Sequence, residues 1–211
     1  MIKKIEDIVK DVRICLDQNM VSESLLNEGD IDTLSIEDII RSKIVDAVQR
    51  VESGAPTHLL EGGHNFGDSI YWTKDGSGWT LLPDDFMRLV VFEMSDWERP
   101  VYEAIAPTDA AYALQRSRYK GLRGNVQRPV CAIIIRPEGK ALEFYSCNNE
   151  EATVSKAMYL PYPTIDEDEG IDLSERCYTS IVYMTAALAL VTFGDSDKAA
   201  IMTEQSKNAL I

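Results

Sequence analysis

Ile70-Tyr71-Trp72-Thr73-Lys74-Asp75-Gly76-Ser77-Gly78-Trp79-Thr80-Leu81-Leu82 is where the chain changes its period. Strand-forming side chains run into Asp-Gly-Ser-Gly turn chemistry and then resume, which is the pattern of a β-hairpin. Beyond the hairpin the apolar residues keep a strand-like habit. Leu89 to Met94, Val101 to Ile105, Val130 to Arg136, Leu142 to Ser146 and Val154 to Leu160 are further predicted strands. Val130-Cys131-Ala132-Ile133-Ile134-Ile135 is apolar without a break, so it is predicted to be a central strand. Pro107 to Tyr119 reads as a short helix or an extended arm.

Farther out the period becomes helical. Residues 2–16 place Ile5, Ile8, Val9, Val12, Cys15 and Leu16 on one stripe. The polar, acidic stretch 17–34 reads as a loop. Ser35 with Asp38 resembles a capping box opening a second helix, whose stripe runs from Ile36 to Val51 and stops at Gly54 and Pro56. Asp172-Leu173-Ser174-Glu175 is predicted to cap a third helix, Gly194 to end it, and Asp195 to cap a fourth that reaches about Leu210. The expected fold is therefore α+β. An α-helical bundle, made of an N-terminal helix pair and a C-terminal αα-hairpin, carries a central antiparallel β-insert. The bundle takes residues 1–65 with 170–211 and the β-rich insert takes 66–169.

The 211 residues carry a formal net charge of −14, with 45% hydrophobic side chains. That hydrophobic content excludes a disordered chain, and the acid excess excludes a binder that uses its whole surface on nucleic acid. The charge is unevenly spread. Residues 107–140 carry +5, whereas 1–65 carry −6, 66–106 carry −5 and 141–211 carry −8. A basic segment inside an acidic protein is either a solvated face or a contact surface for an acidic partner, such as the acidic part of a neighbouring copy. The four cysteines form no CxxC pair and read as reduced core thiols of a cytoplasmic protein. The first residues, with acids in the first turn, do not read as a signal peptide. The longest apolar run, Ile181 to Phe193, has 13 residues, short of the ~20 that span a bilayer.

Catalytic patterns are missing. His58 and His64, with Glu61 between them, would be the start of a zinc site, but no cysteine lies near and the spacing does not share one helix face. Gly62 to Gly67 lacks the Gly-Lys-Ser/Thr of a P-loop, and no GxSxG or GxGxxG occurs. Asp166-Glu167-Asp168-Glu169-Gly170-Ile171-Asp172 fails as an EF-hand, since its glycine comes one position early and Cys177 stands where the closing Glu belongs. No cofactor and no metal are expected. Aromatic residues cluster instead, with Trp72, Trp79, Phe86, Phe92, Trp97 and Tyr102 close in sequence. They form either the core of the insert or exposed interface anchors.

Leu82-Pro83-Asp84-Asp85-Phe86-Met87-Arg88-Leu89, then Trp97-Glu98-Arg99-Pro100-Val101, Gln115 through Gly124-Asn125, and Arg128-Pro129-Val130-Cys131-Ala132 follow one another in order. The pattern resembles the head-to-tail connector (adaptor or ring) proteins of crAss-like and related short-tailed phages of Bacteroidetes hosts. The resemblance implies a structural virion protein with no catalytic residues. It would form a dodecameric ring between portal and tail, extend the DNA channel and offer a platform for tail proteins. Its partners would be copies of itself, the portal protein and downstream tail or ring proteins. DNA would pass without specific binding, and no membrane would be involved. It would be made in the host cytoplasm and sit at the head–tail junction. Arg116, Arg118, Lys120, Arg123 and Arg128 are the expected contacts to a neighbouring copy or the portal, and Trp72 and Trp79 the expected tail-side contacts. A soluble binding or regulatory domain is the alternative, followed by a metal-dependent enzyme built around His58, Glu61 and His64.

Overall fold

The computed structural model describes residues 1–19, 35–61, 63–73, 76–115, 117, 119–145, 147–166, 168 and 170–211. Among these residues there are five α-helices and nine strands, the strands arranged in three antiparallel sheets. The chain divides into two compact units, Met1–Gly62 with Pro163–Ile211, and Gly63–Tyr162.

The first unit holds strand β1 (Ile2–Lys4), α1 (Ile5–Asn19), α2 (Ile36–Gly54), β9 (Gly170–Asp172), α4 (Tyr178–Thr192) and α5 (Ser196–Asn208). The stripe of α1 is buried at Ile5, Ile8, Val9, Val12 and Leu16. Ser35 caps α2 as expected. Its hydroxyl accepts the Asp38 amide at 3.1 Å while the Asp38 carboxylate accepts the Ser35 amide at 3.3 Å. α4 is apolar on nearly every side because it packs on α1, α2 and α5 together. Gly194 takes φ +82° after α4, and the Asp195 carboxylate accepts the Lys198 amide to start α5. In the α4–α5 seam Ser180 and Ser206 each donate a hydroxyl to the other's backbone carbonyl, at 2.8 and 2.9 Å. No helix among the described residues is long and apolar enough to cross a membrane.

The second unit holds two sheets. β2 (His64–Asn65), β8 (Val154–Pro161) and β5 (Phe86–Met94) form one, in the order β2-β8-β5. β3 (Tyr71–Trp72), β4 (Gly78–Leu81), β7 (Gly139–Phe144) and β6 (Cys131–Arg136) form the other, in the order β3-β4-β7-β6. Both supply one core. Phe92 of β5 meets Phe144 of β7 at 5.8 Å between ring centres, and Trp97 and Phe66 close around Phe92. A smaller apolar cluster lies on the other face of the four-stranded sheet, at Ala132, Ile134, Ala141 and Tyr145, with Tyr112 of α3 (Ala110–Gln115) packed against it.

Several expectations are corrected. The molecule is not a helical bundle carrying a β-insert. Its β-rich unit has its own aromatic core, and the helical unit contains a sheet of its own. Ile2–Lys4, read as the start of a helix, is a strand because it pairs with Gly170–Asp172. Asp172 therefore belongs to a strand and caps no helix. A 3-10 turn at Glu175–Cys177 leads into α4 instead. The run Val130–Ile135 yields an edge strand, not a central one. An apolar run reports burial of both faces, which the main core and the smaller cluster supply, and says nothing about how many neighbours the strand has. Val101 to Ile105 forms only isolated bridges, Val101 to Phe92 and Ile105 to Ala132. Of the expected 17–34 loop, the backbone of 17–19 is still helical, and 20–34 lie outside the described residues.

Candidate functional site

The basic segment is presented by a loop with a closed neck. α3 ends at Gln115, whose side chain is buried. Gln115 Nε2 donates to the Ala111 carbonyl at 3.0 Å, and its Oε1 accepts the Gly124 amide at 2.7 Å. The Gln115 side chain thereby ties the end of α3 to Gly124, as the neck of a compact surface loop. Within it the Leu122 amide reaches the Tyr119 carbonyl at 3.0 Å, and Lys120–Leu122 make a 3-10 turn. Two large apolar side chains face solvent there, Tyr119 at 60% exposure and Leu122 at 53%.

Arg116 and Arg118 lie outside the described residues. Lys120 opens the 3-10 turn. Arg123 is half-buried at the edge of a recess, and Arg128 is exposed on a turn closed by reciprocal backbone bonds with Asn125, at 2.9 and 3.2 Å. The recess has a volume of about 360 Å³ and is walled by Arg123, Asn125, Tyr145, Cys147, Asn149 and Glu150 among others. Its thiol is not a nucleophile at neutral pH, because burial and the adjacent Asp96 carboxylate push Cys147 up to about 12.

Trp72 and Trp79 are not brought together. In the hairpin Trp72 is opposite Gly78 and Trp79 opposite Tyr71, so the two indoles leave by opposite faces of the sheet. Trp72 packs edge-on against Phe144 in the core, ring centres 5.5 Å apart. Trp79 lies between the stacked Tyr71 ring at 4.2 Å and the Arg136 guanidinium at 4.5 Å. Arg136 in turn meets the Glu143 carboxylate at 3.1 Å, and Tyr145 and Tyr112 donate their hydroxyls to the same carboxylate. Burial, then the Glu143 carboxylate, raises the Tyr145 phenol. This network fastens α3, and with it the basic loop, to the sheet. The sequence reading missed it. Half of the signal was there, since Glu143 alternates with Leu142 and Phe144 and so leaves the core face, while its place opposite Trp79 comes only from the β4–β7 pairing.

Of the metal candidates, His58 is exposed in a 3-10 turn, Glu61 pairs with Arg176 at 2.8 Å, and His64 of β2 meets the edge of the Tyr159 ring. Among the described residues no three His, Cys, Asp or Glu side chains gather as a metal-binding group. No family model and no curated protein matches the chain.

Proposed function

We propose that this protein is a non-catalytic subunit of a head-to-tail connector, forming a ring between portal and tail and extending the DNA channel. The observation that carries the proposal is the clamped loop. A chain of net charge −14 concentrates five bases and no acid in residues 116–128, and exposes Tyr119 and Leu122 among them. A basic run in the sequence that also carries exposed apolar side chains next to a clamped neck suits a protein interface, where aromatic and Arg anchors supply most of the affinity. The acid excess elsewhere suits a channel lining, since negative walls do not hold phosphate. The resemblance of Leu82 to Leu89 and of Gln115 to Ala132 to connector proteins points the same way. Mass photometry of the protein mixed with the portal ring of its phage tests this. A single high-mass species holding many copies per portal is expected; a monomer or dimer that ignores the portal overturns the proposal.

A further inference from the structure

We draw no further inference here: the strongest candidate, the recess of about 360 Å³ between the Asn125 turn and the Cys147–Glu150 segment of the β-rich unit, carries nothing because Asn125 and Asn149 commit their side-chain oxygens to neighbouring backbone amides, Arg123 is already engaged and the Cys147 thiol lies against the Asp96 carboxylate, so no described group in its walls sets the chemistry of an occupant.

Discussion

Gly78 shows how tightly one residue can be specified. It is opposite Phe144 in the β4–β7 pair, and a Cβ built there would stand 2.5 Å from the ring. The ring cannot retreat, because Phe92, Trp72 and Trp97 hold it on its other sides. Gly78→Ala is expected to lower stability by roughly 1–3 kcal/mol through overpacking, read as a fall in the urea midpoint; an unchanged midpoint would mean that the ring moves freely. Glu52 is the second case. Its buried carboxylate accepts the Ser174 amide at 2.6 Å. Burial raises its pKa, and the bonds from Ser174 only partly offset this. The native state then keeps this proton to higher pH than the unfolded chain does, so the contribution of Glu52 to stability falls as pH rises from the ordinary carboxylate range through the raised value. Glu52→Gln, which keeps an acceptor and removes the charge, is expected to flatten that fall. Glu52→Ala leaves the Ser174 amide without its partner and is expected to cost about 1–3 kcal/mol at neutral pH. Denaturant titrations across acid to neutral pH separate the two variants, and a pH dependence identical in wild type and Glu52→Gln would contradict the assignment.

At the scale of elements, local chemistry was legible and long-range pairing was not. The Ser35–Asp38 box, the Gly194–Asp195 junction and the hairpin around Gly76 are written within a few residues, so the sequence reading found them. β1 was hidden. Three residues beside a helical stripe become a strand only because a partner far along the chain supplies the ladder. The edge position of β6 was hidden for a similar reason, since neighbours in a sheet leave no mark on a strand's own pattern. The basic loop was legible as charge, while its neck was not, because one glutamine among polar residues gives no warning that it is buried. Gln115→Ala removes that neck. The Gly124 amide is expected to lose hydrogen-exchange protection and ring yield on the portal to fall, with the melting temperature little changed. Retained protection would show that the loop is held by other contacts.

For the whole molecule, the candidate site was half visible. Net charge by segment located the basic surface, but the aromatic anchors Trp72 and Trp79 were paired by proximity in sequence, and strand alternation sends them to opposite faces. Ring assembly on the portal is the measurement that bears most directly on the protein's role. Mass photometry of wild-type protein with the portal is expected to give one discrete complex with many copies per portal, and free protein that stays monomeric or dimeric beside an unbound portal would contradict it.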